Sequence, residues 1–367
     1  MAGSANRLSP YRTPQPESER VMTHCAGIDV GAREVVVALN EAASTKTRGK
    51  TDCFANNPKG FADLLPWLRR HQVRHVVLEA TGVYHLDLAL ALHADPTMQV
   101  MVLNPKVAKH FAQARGARTK TDAVDAALLA QFAQYMPFEP WQPPSEAVLA
   151  LRACARRLAA LTHQRTRAKN QRHALCSTDC TPDFILEDAR LSVTQLDAQI
   201  DSLEKRTQQL IKADDFVNRQ HQLLLSIKGV GEKSAIQLLG ELLALPEDLR
   251  AKQWVALAGL DPRHHQSGSS VEKKARISKA GNRALRTALF MPAMCAVRHV
   301  PQVKAYAEHL VQHRGLRPIQ ALCAVMRKLL HAMHGMWKSQ TNFDPERFYK
   351  PHTENPSIKY RTYALTK

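Results

Sequence analysis

Short β-branched runs alternate with helical segments through the N-terminal third of the chain, and this alternation limits the possible folds most strongly. Cys25–Val30 and Glu34–Asn40 have the pattern of a β-hairpin. Thr51–Phe54 is a candidate third strand, and Arg74–Glu79 and Gln99–Leu103 are candidate buried strands separated by a helical segment. A hairpin followed by βα units predicts an α/β domain with a mixed sheet and helices on its faces.

The helices of this region carry recognisable start signals. Asn57-Pro58 supplies an N-cap with proline at the first helical position, which predicts a helix to about Arg70. Asn104-Pro105 predicts a second such helix, to about Ala114. Helices are also expected over Tyr84–Ala94 and from about Thr121 to Tyr135. Tyr84 is expected in the core, with stacking on a nucleic-acid base as the alternative.

Beyond the proline-rich stretch Pro137–Pro144, the chain changes to a helical pattern. Ser145–Leu175 and Phe184–Lys212 predict a long helical hairpin or coiled coil with apolar residues at three- and four-residue spacing. The first helix is strongly basic, which favours oligomerisation or nucleic-acid binding, although an internal hairpin with a solvated basic face explains it equally well.

The remaining sequence predicts an all-α domain that contains a helix-hairpin-helix. In Leu225–Gly231, the glycines Gly229 and Gly231 let backbone amides bind a phosphate, with Lys228 beside them. Trp254 is expected in the core, and residues 264–270 are expected to form a polar loop. We therefore divide the chain into a disordered tail, an α/β domain, a helical hairpin, an all-α domain and a C-terminal tail: 1–21, 22–138, 145–215, 220–338 and 339–367.

Charge indicates the class of partner. Lys and Arg number 51 against 33 Asp and Glu, and the formal net charge is +18. Such an excess favours a nucleic-acid partner.

Seven cysteines without a regular spacing indicate a reducing compartment. No run approaches the ~18 apolar residues of a membrane span, so we expect a cytoplasmic protein with no membrane partner. The true start is either Met1 or Met22.

Four acidic residues stand out against this basic background. Asp29 and Glu79 lie at the ends of two predicted strands, and Asp122 and Asp125 are three apart, on one face of a predicted helix. Carboxylates are the ligands that hard divalent cations prefer, and such cations assist phosphodiester chemistry. The pattern therefore predicts a site for Mg²⁺ or Mn²⁺.

Four sequence motifs, taken in order, resemble those of the DEDD transposases, a family of insertion-sequence enzymes. Three contain the acidic residues, and the fourth combines Ala258-Gly259-Leu260-x-Pro262, Gln266-Ser267-Gly268 and Ile277-Ser278-Lys279-x-Gly281-Asn282-x-x-Leu285-Arg286. The first three are Gly27-Ile28-Asp29-Val30, Leu78-Glu79-Ala80-Thr81-Gly82 and Lys120-Thr121-Asp122-Ala123-Val124-Asp125-Ala126. The resemblance covers roughly residues 24–300.

The resemblance implies a RuvC-like (RNase H-like) N-terminal domain and a metal-dependent recombinase guided by a structured RNA that its element encodes. It also implies that Ser267 attacks DNA and forms a transient phosphoserine link. The acidic cluster of one subunit and the serine of a partner subunit would form each site, in a dimer or a tetramer. A serine needs a base or a metal to become a nucleophile, and the loop 264–270 contains no acidic residue.

Several assignments have competitors at this stage. Ser269 and Ser270 compete with Ser267 as nucleophile, and His264 and His265 are possible bases. Basic residues in three segments are candidate nucleic-acid contacts, with a solvated basic face as the alternative. These residues are Arg118, Lys120, Lys228, Lys273, Lys274, Arg276, Lys279, Arg283 and Arg286.

Two other functions compete with the recombinase. A RuvC-like endonuclease acting on branched DNA would explain the carboxylates and leave the serine motif without a role. A nucleic-acid-binding protein without activity would need neither group. The segment Gly27–Gly31 also resembles a phosphate loop of actin-like ATPases, but Ala32-Arg33 and the Lys120–Ala126 helix fit that class poorly.

Overall fold

The computed structural model describes residues 24–40, 50–267 and 271–350, with the backbone alone described for 264–267 and 271–275. The predicted tail 1–21, the alternative nucleophiles Ser269 and Ser270, and residues 351–367 lie outside the described residues. The chain divides into two compact units, with the boundary between Pro143 and Pro144.

A five-stranded mixed sheet forms the centre of the first unit, as the sequence predicted. The strand order is β3-β2-β1-β4-β5. The first three strands pair antiparallel, whereas β4 runs parallel to β1 and β5 parallel to β4. The strands are β1 (His24–Val30), β2 (Glu34–Asn40), β3 (Thr51–Ala55), β4 (Val73–Glu79) and β5 (Gln99–Leu103).

Helices cover both faces of this sheet. Their bounds are α1 (Pro58–Arg70), α2 (Leu86–His93), α3 (Pro105–Ala114) and α4 (Asp122–Tyr135). Ile28 and Val76 belong to the apolar cluster that contains residues of α1 and α2. Cys25 and Val77 belong to a second cluster, with residues of α4 and, at its edge, of α3. Successive residues of these strands therefore pack on opposite faces of the sheet.

Gly27 permits a close approach between β1 and α4. A Cβ atom at Gly27 would lie 2.1 Å from the carbonyl oxygen of Ala126, 2.2 Å from the amide nitrogen of Ala130 and 2.7 Å from the carbonyl carbon of Leu129. Only a residue without a side chain fits here. The backbone of α4 therefore rests directly on β1, on the face where Asp29 also lies, two residues along the strand.

The second unit is mainly helical and is built on one large apolar core. The long hairpin is confirmed as α5 (Glu146–Leu175) and α6 (Asp183–Lys212), and Trp254 is buried as predicted. The other helices are α7 (Asp215–Leu225), α8 (Glu232–Leu242), α9 (Ala251–Leu257), α10 (Arg283–His299), α11 (Pro301–Gln312), α12 (Pro318–Ser339) and α13 (Pro345–Phe348).

The expectation of an all-α second domain is wrong in one place. Residues 262–277, expected to be a polar loop and a basic run, contain an antiparallel pair, β6 (Pro262–Ser267) and β7 (Val271–Ile277). The pattern signal was weak because β6, Pro-Arg-His-His-Gln-Ser, contains no alternating apolar residues. Backbone pairing between the strands, rather than burial of an apolar face, defines this hairpin.

Part of the segment that the sequence assigned to a C-terminal tail is packed on the core. Phe348 in α13 is buried, and Phe343 and Tyr349 pack against the same cluster. Three aromatic rings, those of Tyr306, Phe348 and Tyr349, surround the Lys328 ammonium at 4.2–5.3 Å. The described chain therefore remains in contact with the unit to residue 349. None of the described helices is long and apolar enough to cross a membrane.

Candidate active site

Strand register places Asp29 and Glu79 side by side. Ile28 on β1 pairs with Leu78 on the parallel strand β4, so the next residues on the two strands are Asp29 and Glu79. Neighbouring strands lie about 4.8 Å apart, and residues at matching positions point to the same face. Both carboxylates are therefore on the face of the sheet that α4 covers.

Helix α4 brings the other two carboxylates to this edge. Thr121 caps the helix, its hydroxyl accepting a hydrogen bond from the Val124 amide at 3.3 Å. Asp122 and Asp125 both lie in the first turn, where the helix dipole favours negative charge. The close approach at Gly27 holds this turn near β1. The sequence prediction that both aspartates lie on one helix next to the strand ends is confirmed.

The four carboxylates are close enough to perturb one another. Burial and the negative charges of Asp122, Asp125 and Glu79 raise the pKa of Asp29 from 3.8 to about 6. Burial and Asp125 also raise the pKa of Glu79, and burial and Asp122 raise that of Asp125. The cluster is therefore an environment that favours protons or cations.

The positive charge of Lys120 acts on this cluster, because it lowers the pKa of Glu79 and of Asp125 and so partly offsets the increase that burial and the neighbouring carboxylates cause. Lys120 lies with Arg118 in the exposed basic segment that precedes α4. Both were predicted as nucleic-acid contacts, and their exposure leaves them accessible to a phosphate.

The donor set suits a divalent cation by its chemistry, because all four groups are carboxylates. Within the described part of the chain, however, no three His, Cys, Asp or Glu side chains are arranged to hold one metal ion. The carboxylates repel one another at their present separation without converging on a common point. Metal binding at this cluster therefore stays a prediction.

Asn56 is a residue near this site that the sequence analysis missed. Its side-chain nitrogen donates to the carbonyl oxygens of Gly31 at 2.8 Å and Tyr84 at 3.1 Å. Its backbone amide donates to the carbonyl of Arg33 at 2.8 Å. Asn56 thus joins the β1–β2 turn to the segment that follows Glu79. An asparagine just before a helix cap is common in loops, so no local pattern indicated this role.

The expectation that Tyr84 belongs to the core is wrong. Helix α2 begins at Leu86, later than predicted, and Tyr84 lies in the preceding turn with its side chain 50% exposed. Neighbouring Val83 is 70% exposed. The apolar pattern of α2 was extended too far toward the N-terminus, because Val83 and Tyr84 continue it in composition but not in burial.

In the second unit, Ser267 is the last residue of β6 and pairs with Val271 of β7. The three residues between them connect the two strands. The serine motif is therefore at the tip of the β6–β7 hairpin, and its side chain lies outside the described residues, as do those of Lys273 and Lys274.

Two glycines close the base of this hairpin. Gly259 precedes the hairpin and Gly281 follows it, with φ values of +65° and +105°. A Cβ at Gly259 would collide with the backbone of Ala280, and a Cβ at Gly281 would collide with the backbone of Leu257. The Ser278 hydroxyl also donates to the Asp261 carboxylate. These contacts hold residues 257–261 against 278–282 and so fix the two ends of the hairpin.

A buried glutamate supports the same region. Glu241 is 2% exposed, receives hydrogen bonds from Arg156 at 2.7 Å and Asn282 at 2.6 Å, and pairs with Arg152 at 3.3 Å. Burial alone would raise the pKa of Glu241, but these partners lower it below its usual value. Asn282 also caps α10 by accepting from the Leu285 amide. Motif residue Asn282 therefore links the hairpin to the core.

The predicted basic contacts of this unit differ in their surroundings. Arg276, Lys279 and Arg283 are exposed. Arg286 is half-buried, and its guanidinium donates to the Ala258 carbonyl at 2.8 Å, which gives it a structural role.

The turn between α7 and α8 contains the predicted phosphate-binding residues. Lys228 and Gly231 are exposed. Gly229 has φ +113° and lies so close to α10 that a Cβ would be 2.8 Å from the Ala296 amide nitrogen. Helices on both sides of the turn are confirmed, and packing alone accounts for Gly229. Phosphate binding by this turn stays a prediction.

The carboxylate cluster lies on the mixed sheet of a chain with a formal net charge of +18, and such a charge favours a polyanionic partner such as nucleic acid. The chain matches a transposase model of the DEDD IS110 type over residues 26–178 and the transposase IS116/IS110/IS902 family model over residues 221–308. The chain belongs to the IS110 family of transposases.

Similar proteins include recombination proteins. The pilin gene-inverting protein of Moraxella bovis is 33% identical over 301 residues, which are 79% of this chain and 89% of that protein, and the same values apply to its counterpart in Moraxella lacunata. The transposase for insertion sequence element IS1111A of Coxiella burnetii is 34% identical over 110 residues, 29% of this chain and 30% of that protein.

Proposed function

We propose that this transposase cuts and rejoins DNA strands at the ends of its own mobile element, in a reaction that requires Mg²⁺ or Mn²⁺. Family membership supports transposition. The strand order β3-β2-β1-β4-β5, with three antiparallel strands followed by two parallel ones, supports a RuvC-like fold for the first unit. The alternative of a binding protein without activity leaves the clustered carboxylates unexplained.

The observation that carries the proposal is the placement of four carboxylates at one edge of the sheet: Asp29 and Glu79 at the ends of the paired strands β1 and β4, and Asp122 and Asp125 in the first turn of α4, whose backbone lies against β1. The pKa of Asp29, raised to about 6 by burial and by the other three carboxylates, agrees with this placement. Keeping four such groups together costs stability unless a cation or protons compensate. Asp29, Glu79, Asp122 and Asp125 would hold the cation, which would neutralise charge on the attacked phosphate.

The nucleophile in this proposal is the Ser267 hydroxyl. Its oxygen forms a bond to phosphorus while the bond between phosphorus and one deoxyribose oxygen breaks. The hydroxyl proton passes to a base, and the leaving sugar oxygen takes up a proton and departs as a hydroxyl. The phosphate remains a diester because the serine ester replaces the broken sugar ester, so the free hydroxyl of a second strand can attack the phosphoserine and rejoin DNA.

Rejoining separates this function from that of a RuvC-like endonuclease. The pilin gene-inverting relatives are named for inverting a gene, and inversion requires that cut ends be joined again. A similarity over 79% of this chain favours the same conservative chemistry here.

We further propose that the carboxylates of one subunit act with Ser267 of another, in a dimer or tetramer, and that a structured RNA selects the target. Exposed basic residues in both units would contact DNA or RNA phosphates without reading sequence. The described members of this set are Arg118, Lys120, Lys228, Arg276, Lys279 and Arg283; Lys273 and Lys274 would join them.

Trapping the covalent link tests the chemistry. The purified protein is incubated with labelled DNA that contains the element ends and Mg²⁺, and protein–DNA adducts are resolved after denaturation. Ser267→Ala is expected to abolish the adduct and strand exchange, while Ser269→Ala and Ser270→Ala serve as controls from the same loop. Asp29→Asn is expected to abolish both products as well. Normal strand exchange by Ser267→Ala would refute the serine mechanism.

Sequencing the RNA that co-purifies with the protein tests guidance. One discrete structured RNA from the element is the expected result. Random cellular RNA, together with strand exchange by RNA-free protein, would contradict this part of the proposal.

A further inference from the structure

An exposed apolar pair lies beside the acidic cluster. Val83 and Tyr84 are 70% and 50% exposed, although large apolar side chains next to a polar site lose stabilisation when left in water. They follow Glu79 by four and five residues, in the turn between β4 and α2. Isolated exposed apolar residues are ordinary, but two adjacent ones at the edge of a candidate active site need an explanation.

The turn holds the Tyr84 ring in a defined place. Gly82 has φ +56°, and a Cβ built there would be 3.8 Å from the ring, so the ring lies against Gly82. The Tyr84 amide donates to the Thr81 carbonyl at 3.2 Å, and Asn56 donates to the Tyr84 carbonyl. Since the Tyr84 backbone is fixed from both sides, exposure of the ring is built into the fold.

The ring is also within reach of DNA at the cluster. Gly82 is the third residue after Glu79, so their Cα atoms are at most about 11 Å apart. Successive nucleotides of a strand advance about 3.4 Å along a duplex. A ring beside Gly82 therefore reaches the nucleotides within about three steps of a phosphate bound at the carboxylates.

We propose that Tyr84, with Val83 beside it, stacks on an unpaired base next to the phosphate that is cut, and so positions the strand. This inference rests on the proposed function. A base has an apolar face and every base can stack on an aromatic ring, which suits a protein of net charge +18 that binds the backbone through basic residues. Tyr84 is thus a positioning residue that determines which phosphate reaches the carboxylates.

A fluorescent base tests this placement. DNA of the element end is prepared with 2-aminopurine at successive positions and bound to full-length protein in Ca²⁺. Wild type and Tyr84→Phe are expected to quench the fluorescence at one or two adjacent positions only. Tyr84→Ala is expected to lose this quenching and, in Mg²⁺, to cut about 5- to 160-fold more slowly, as the loss of one aromatic–base contact implies. Val83→Ser is expected to have a smaller effect of the same kind.

Tyr135→Ala is the matched control, since Tyr135 is 55% exposed in the same unit. It lies ten residues after Asp125 on α4, which is about 15 Å along the helix. Position-specific quenching that survives in Tyr84→Ala would overturn the proposal, as would an equal loss in Tyr135→Ala. A change of oligomeric mass in Tyr84→Ala with unchanged quenching would assign the pair to a contact between copies instead.

Failure of the stacking proposal and failure of the proposed function give different results. Failure of the proposed function appears as absence of metal-dependent cutting by wild type, and the fluorescence measurement still decides the stacking. Failure of the stacking proposal alone appears as normal cutting by Tyr84→Ala while Asp29→Asn is inactive.

Discussion

Replacing Gly27 by alanine places a methyl group where the backbone of α4 lies. The new Cβ would be 2.1–2.7 Å from three α4 backbone atoms, whereas real Cβ contacts are essentially never shorter than 3.0 Å. The helix and the strand must therefore separate by about 1 Å, which means overpacking that usually costs 1–3 kcal/mol. The atoms that the new methyl group meets belong to the helix backbone, which cannot move aside as the end of a flexible side chain could. We therefore expect the free energy of unfolding to fall by about 3 kcal/mol.

The same displacement should disturb the acidic cluster. Asp122 and Asp125 move with α4, while Asp29 stays on β1. A misplacement of about 1 Å in an active site can reduce a rate about 100-fold. We therefore expect DNA cutting by Gly27→Ala to fall by about 100-fold at temperatures where the variant is folded, and half-maximal cutting to require a higher Mg²⁺ concentration.

Hydrogen exchange of the α4 peptide and single-turnover cutting measure the two effects. Gly335→Ala is the control, because a Cβ at this position in α12 meets nothing within 4 Å, and alanine in a helix is favoured over glycine by about 0.5–1 kcal/mol. Gly27→Ala with wild-type exchange in α4 and wild-type cutting would show that α4 does not rest on β1.

Two further predictions concern charge. The pKa of Asp29 is raised from 3.8 to about 6, so the folded chain holds this proton more tightly and the contribution of Asp29 to stability falls as pH rises from about 4 to 6. Without divalent cations, Asp29→Asn should therefore melt at a higher temperature than wild type above pH 6. Mg²⁺ should raise the melting temperature of wild type more at about pH 8 than at about pH 5. The same pH dependence of the melting temperature in both proteins would contradict this prediction. Glu241→Ala should lower the free energy of unfolding in urea by about 2 kcal/mol, which is less than for a fully buried ion pair because Arg152 and Arg156 still reach water. It should also slow strand exchange, because Asn282 loses its partner. Wild-type stability and strand exchange in this variant would show that Glu241 does not support the hairpin.

Local patterns predicted most of the strands and helices of the first unit. Asn57 and Asn104 cap their helices as the Asn-Pro signals indicated, because capping depends on adjacent residues only. Asp29 and Glu79 were expected at the ends of two strands, and the structure adds that β1 and β4 are parallel neighbours, which places the two carboxylates side by side. That Gly27 allows α4 to reach β1 depends on residues about a hundred positions away, which no local pattern includes.

The errors have the same physical cause. Glu241 pairs with arginines 85 and 89 positions before it, so its sequence neighbours give no sign of its role. The strands β6 and β7 are defined by pairing with each other and carry few apolar residues. Tyr84 has the composition of a core residue, and only the position of the first turn of α2 shows that it is exposed.

The acidic cluster and the serine need each other for a physical reason. Four clustered carboxylates repel a DNA phosphate, so the cluster becomes attractive to DNA only when a cation is bound. A serine hydroxyl, in turn, is a weak nucleophile without a base or a cation beside it. If the acids and Ser267 come from different subunits, as we propose, neither subunit can cut DNA alone. Cutting would then require the assembled complex, in which a partner strand for rejoining is already present.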